Sequence, residues 1–139
     1  MIPSFARGLL LFGVVLVFSV RANEPANPDP APVREFRGET AEENATAVPQ
    51  VVISVAQAYE DAWKALGLKE SPGVVDFEKE VVFLAATRGS RIQLRCRDKG
   101  EGKLNVSAMS TRDIRPGLRY LIGVFLKKDW KEVNGTSVP

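Results

Sequence analysis

Apolar and polar positions follow several distinct rhythms along this chain. Gly8 to Val20 is apolar throughout except for Ser19. From Val55 to Leu66 the apolar residues Val55, Tyr59, Ala62, Trp63 and Leu66 recur at helical spacing, with Glu60 and Lys64 paired on the opposite side. The spacing predicts a helix over 55–66, opened by a capping box of Ser54 with Gln57 and closed by Gly67. Val81 to Ala86 is continuously apolar, as expected of a central strand buried on both faces.

The rhythm then becomes strict alternation. Ile92, Leu94 and Cys96 alternate with Arg91, Gln93, Arg95 and Arg97; beyond a loop at Asp98 to Gly102, Leu104, Val106 and Ala108 alternate with Lys103, Asn105, Ser107 and Met109. This predicts a hairpin pairing Arg97 with Lys103, Cys96 with Leu104, Leu94 with Val106 and Ile92 with Ala108, so that every apolar pair shares one side. Leu118 to Leu126 supplies a further strand after the Arg115-Pro116-Gly117 turn, and Asn134-Gly135 signals a two-residue hairpin. Val33 to Arg37 alternates as a candidate edge strand. The fold class expected is α+β, one helix packed on a mostly antiparallel sheet of about four or five strands.

Organisation follows from composition. Residues 1–22 read as a signal peptide: Arg7 precedes the apolar run, which is too short to cross a bilayer, and Val20-Arg21-Ala22 offers a cleavage site. Residues 23–50 read as a Pro-rich and acidic linker, and 51–139 as the α+β domain. The expected location is exported, periplasmic or extracellular, with no stable membrane insertion after processing.

The 139-residue chain carries 19 basic and 17 acidic residues. Removing residues 1–22 takes away Arg7 and Arg21, which leaves 17 of each. Overall basicity is therefore no argument for nucleic acid, and none is expected as a ligand. The distribution is uneven: 5 basic and 12 acidic residues from Asn23 to Glu80, against 12 basic and 5 acidic from Val81 to Pro139.

Chemistry is thin. Histidine is absent, which excludes imidazole bases and every His-dependent zinc site. The lone Cys96 allows no intramolecular disulfide and, on the apolar side of its strand, reads as a small buried hydrophobe. No nucleophile elbow or dinucleotide fingerprint occurs. Asp76, Glu78 and Glu80 alternate before the central strand; they are expected to be solvated charges that keep it soluble, with a carboxylate-dependent hydrolase as the alternative. No catalytic residue, metal or cofactor is assigned.

The partner-binding candidates are Arg91, Arg95, Arg97 and Lys103, which alternation puts on the polar face of the hairpin, together with Trp130 among Lys128, Asp129 and Lys131. Trp130 is either a lid on the core edge or an exposed contact. The basic face is either merely solvated or a docking surface for an acidic protein of the envelope or extracellular space, Arg being suited to bidentate carboxylate contacts. The function expected is a non-enzymatic protein-binding module, with a structural domain lacking a specific ligand as a further alternative.

Residues 51 to about 127 resemble the bacterial exported PrcB-type domain, typified by a small protein that associates with and stabilises a subtilisin-like surface protease. The resemblance runs through Trp63 with Leu66-Gly67, Val75-Asp76-Phe77, Val81-Val82 and the two strands that follow. Where that family carries a Thr-Gly-Gly-Tyr-like turn, this chain reads Arg88-Gly89-Ser90-Arg91-Ile92. The resemblance implies an α+β fold and a partner-binding role, for instance toward an exported protease, and supplies no active-site residues.

Overall fold

The computed structural model describes residues 29–41 and 50–139. The expected signal peptide lies outside the described residues, as does most of the expected linker. The described residues form three layers: a helix, a first sheet, and a second sheet on the other side of the first.

The first sheet contains β1 (Arg34–Thr40), β2 (Val51–Ile53), β3 (Glu80–Thr87) and β6 (Leu118–Leu126) in the order β1-β6-β3-β2, all pairs antiparallel. The second contains β4 (Ile92–Asp98), β5 (Lys103–Ser110), β7 (Glu132–Val133) and β8 (Thr136–Ser137) in that order, with only β5–β7 parallel. The α+β class holds, but one sheet becomes two. The apolar run of β3 explains why. Val82 and Leu84 pack toward the helix with Ile122 and Val124 of β6, while Val81, Phe83, Leu121 and Phe125 face the other way. A strand buried on both faces needs two covers, and the single helix supplies one. The hairpin β4–β5 folds back as the second, contributing Ile92, Cys96, Leu104 and Val106.

Helix α1 spans Ala56–Ala65. The expected capping box does not form: Val55, extended, is the N-cap without a side-chain cap bond, and the Gln57 amide instead donates to Asp61 Oδ1 at 3.0 Å. The other end closes as expected. Gly67 takes φ 81°, its N–H bonds Lys64 O at 2.9 Å, and Leu68 N–H bonds Trp63 O at 3.2 Å. Tyr59 is buried against the tilted ring of Phe77, and its hydroxyl donates to Gly73 O at 3.0 Å.

The hairpin register differs from expectation by two residues: Asp98 pairs with Leu104, Cys96 with Val106, Leu94 with Ala108 and Ile92 with Ser110. Gly100, Glu101 and Gly102 all adopt positive φ (82°, 57° and 76°), so a three-residue turn closes where the sequence suggests five. Lys99 N–H then reaches Lys103 O at 2.8 Å. A slip of two preserves side-chain parity, so the apolar residues still share one side. Residues 34–40, placed by composition in a linker with a candidate edge strand at 33–37, pair along their whole length with β6. The Asn134-Gly135 turn joins β7 to β8, both residues at positive φ as a two-residue hairpin requires.

Candidate functional site

The outer face of the second sheet is built by alternation. With Ile92, Cys96, Leu104 and Val106 turned inward, Gln93, Arg95, Arg97, Lys103 and Asn105 are turned to solvent. Arg91 precedes β4, but its backbone already pairs with Thr111, whose N–H donates to Arg91 O at 3.1 Å. Arg95 lies opposite Ser107, and Arg97 opposite Asn105. In this register Lys103 faces Lys99 across the turn rather than Arg97. Among the described residues the side chains of Arg91, Arg95, Arg97 and Lys103 make no hydrogen bond or ion pair, and each is exposed.

Trp130 stands apart from this row. It is half-buried against the core between the sheets, next to Lys131, whose N–H donates to Gly102 O at 2.8 Å. That is the position of a lid on the core edge, at the far end of the hairpin from Arg91.

The carboxylates at the entrance to β3 are placed differently: Asp76 and Glu78 are exposed, and Glu80, the first residue of β3, is buried. Asp76 Oδ1 accepts from Glu78 N–H at 3.1 Å, an exposed local turn. Glu80, expected to be solvated, is only 7% exposed. Its Oε2 lies 2.7 Å from Arg34 Nη1, and its Oε1 accepts from Arg34 Nη2 at 3.0 Å and from Asp76 N–H at 3.1 Å. The Arg34 guanidinium holds the Glu80 carboxyl below the usual carboxylate range. Glu80 therefore ties β1 and the loop before β3 together. Sequence reasoning missed it because Arg34 is 46 residues away. Among the described residues no three Cys, Asp or Glu side chains gather as a metal site would need.

Cys96 is buried, and burial pushes its thiol up to about 11. Thiolate chemistry is accordingly suppressed.

A groove of about 750 Å³ opens between the sheets at the end where Arg91 lies. Arg37, Glu39 and Arg119 line it from the first sheet, and Arg91, Gln93 and Thr111 from the second. Arg37 Nη1 donates to Ile92 O at 2.7 Å, and its Nη2 meets Glu35 at 2.9 Å. Arg119 gathers the loops around the groove, its Nη2 donating to the carbonyls of Arg88, Arg115, Pro116 and Gly117 at 3.1–3.3 Å. Asp113 fastens the same loops. It accepts from Ser90 N–H at 3.0 Å and from Arg115 Nε at 3.2 Å, and these donors together with the Thr111 hydroxyl hold its carboxyl well below the ordinary range. Of the sequence candidates only Arg91 reaches this groove. The concentration of Arg at 88, 91, 112, 115 and 119 was the available signal, but only the fold joins its two halves.

No protein-family model, curated protein or solved structure matches this chain. What the protein does must therefore be read from its own residues and their geometry.

Proposed function

We propose that this protein is an exported, non-enzymatic module that docks onto an acidic surface of another envelope or extracellular protein through the outer face of β4–β5. The observation that carries the reading is the row of Arg91, Arg95, Arg97 and Lys103, exposed on a regular two-stranded surface and unpaired among the described residues. Other arginines are engaged within the fold: Arg34 pairs with Glu80, Arg37 with Glu35, and Arg119 with loop carbonyls, while Arg112, outside this face, is exposed and unpaired among the described residues. Cations left unpaired on a regular two-stranded surface are available to a partner, with their own side-chain ordering as the cost. The resemblance to PrcB-type domains suggests an exported protease as one such partner.

The hydrolase alternative loses ground because the carboxylate of Glu80 is engaged by Arg34. The test is capture of binding partners from the cell envelope by wild type and by the Arg95→Glu/Arg97→Glu double variant. Each change should alter stability by about 0.5 kcal/mol or less, because both side chains are exposed. The specific partner should be lost, and wild-type capture should weaken with salt, since exposed charges are screened over about 8 Å at physiological ionic strength. A folded double variant that recovers the same partner in the same yield would remove the basic face from consideration.

A further inference from the structure

The two outward edges of the β4–β5 hairpin are closed by different means. Thr111 N–H bonds Arg91 O, and Lys99 N–H bonds Lys103 O. With the register between those pairs, odd-numbered residues of the two strands direct their backbone groups at each other, and even-numbered residues direct theirs outward. On β5 hydrogen bonds fill the outward groups. The Asn134 side chain accepts from Val106 N–H at 2.7 Å and donates to Val106 O at 2.9 Å, Asn134 N–H reaches Leu104 O, and Gln50 Oε1 accepts from Ala108 N–H. On β4 Arg37 caps Ile92 O, but among the described residues no hydrogen bond reaches the outward N–H and C=O groups of Leu94 and Cys96.

What lies beside those two residues is the chain's own segment before β1. Val33 is a bend, although its N–H still bonds Val124 O at 2.8 Å. The residues before it do not continue along β6. Pro32 instead lies over Gly123, on the hairpin side: a Cβ added to that glycine would fall 3.5 Å from the Pro32 Cβ and 2.5 Å from a Leu94 methyl. Asp29 stands close enough to Cys96 for its charge, with that of Glu35, to push the thiol up. Residues 29–32 therefore run along the outer edge of β4 from Cys96 toward Leu94, against the direction of the strand. Pro30 and Pro32 are half-buried while Asp29 and Ala31 are exposed, the alternation of an extended chain laid on a surface. Both prolines lack an N–H, so this segment cannot build a regular ladder with β4.

We infer that Asp29–Pro32 is a strap that guards the β4 edge: it takes the place of an added strand and opens as a local unit while the two sheets stay folded. Proline at a sheet edge is one means by which proteins avoid pairing with other chains. The end of the Pro-rich stretch that composition reads as a spacer thus belongs to the fold. A cover with no ladder hydrogen bonds is held more weakly than the strands beneath it, which is why it can lift alone. Lifting it bares the unpaired backbone of Leu94 and Cys96, and the strand present at equal concentration to meet it is the β4 of a second copy. Antiparallel pairing of two such strands brings Arg95 and Arg97 of the copies together, so salt should favour the pairing by screening their repulsion.

The test uses the full chain and its Pro30→Gly/Pro32→Gly variant, which frees the strap, with iodoacetamide labelling of Cys96 and sedimentation velocity at low and high salt. Labelling of the variant should be roughly tenfold faster than wild type while its urea midpoint stays close to wild type. The variant should form dimers at high salt, and wild type should remain monomeric. A second measurement needs no variant: labelling of wild type should be nearly independent of urea below the unfolding transition, because opening the strap exposes little surface. Labelling of the variant at the wild-type rate, or wild-type labelling that climbs with urea as steeply as global unfolding does, would overturn the strap. A variant that labels faster yet stays monomeric at every salt concentration would overturn the guard. None of these readouts involves the acidic partner, so the docking reading stands or falls separately.

Discussion

The first sheet has two coverings of different extent. On the helix side apolar packing runs across all four strands, from Phe36 on β1 through Ile122 and Leu84 to Ile53 on β2. On the hairpin side it runs under β6 and β3 and reaches Val52 of β2, but β1 presents only Glu35, Arg37 and Glu39. The same strand is therefore apolar below and charged above. The difference shows how β1 is specified: its alternation matches a strand with one dry face, and the charged face lies where no described strand covers it.

If the two coverings form one cooperative unit, breaking either should unfold both. Phe125→Ala removes a fully buried ring from the hairpin side and should cost about 3–5 kcal/mol; Leu84→Ala on the helix side should cost about 2–5 kcal/mol. Urea unfolding followed by both tryptophan fluorescence and far-UV circular dichroism should give coincident transitions for each variant. Two separated transitions would mean that the hairpin layer folds apart from the helix layer.

A smaller effect tests the closed edge of the second sheet. Asn134 at φ 50° supplies both partners of the buried Val106 backbone. Asn134→Gly keeps the left-handed backbone accessible and removes only the amide, so it should cost about 1–2 kcal/mol. Asn134→Ala adds the strain of a Cβ at positive φ and should cost about 1 kcal/mol more. Thermal melts of the pair separate the hydrogen bonds from the conformation, and equal stability of the two variants would show that φ contributes nothing.

The tie between β1 and the rest should appear in the pH dependence. Glu80 has a folded pKa below its unfolded value. Its pairing therefore contributes stability above the unfolded pKa of about 4.3, and that contribution is lost as pH falls through the folded value. Because Arg34 is 42% exposed, solvent screens the pair, and about 1 kcal/mol is expected. Wild type should lose its advantage over Glu80→Gln as acid is added from about pH 5 downward. A constant difference between the two at every pH would show that Glu80 acts through packing rather than charge.

Much of this architecture can be read locally. The apolar run of β3, the period-two pattern of β4 and β5, the Gly67 helix end and the Asn134-Gly135 turn each depend on neighbouring residues, and the side on which Arg95 and Arg97 project follows from parity alone. What could not be read depends on distant partners or on unusual backbone. The register slipped by two because Glu101 joins two glycines at positive φ. Glu80 looked like one of three surface carboxylates until Arg34 arrived from β1. Alternation showed that Cys96 and Leu104 face one way, but not that a second sheet had to form to give them something to face. The groove was hidden for the same reason, since Arg37, Arg91 and Arg119 meet only through the fold.

Cys96 reports on the hairpin covering without changing stability at all. It sits inside the layer between the sheets, where burial raises its thiol to about 11 against an ordinary value of 9.0. A thiol raised that far is ~100-fold less ionised near neutral pH, and iodoacetamide reacts with the thiolate. Alkylation of the folded protein at pH 8 should therefore be at least ~100-fold slower than in urea, with burial slowing it further. Because Cys96 lies on the edge strand β4, local opening on the β1 side would expose it before the global transition. Labelling of folded protein at the rate of a free thiol would mean that the hairpin does not close over the first sheet, and the contrast between its two faces would disappear.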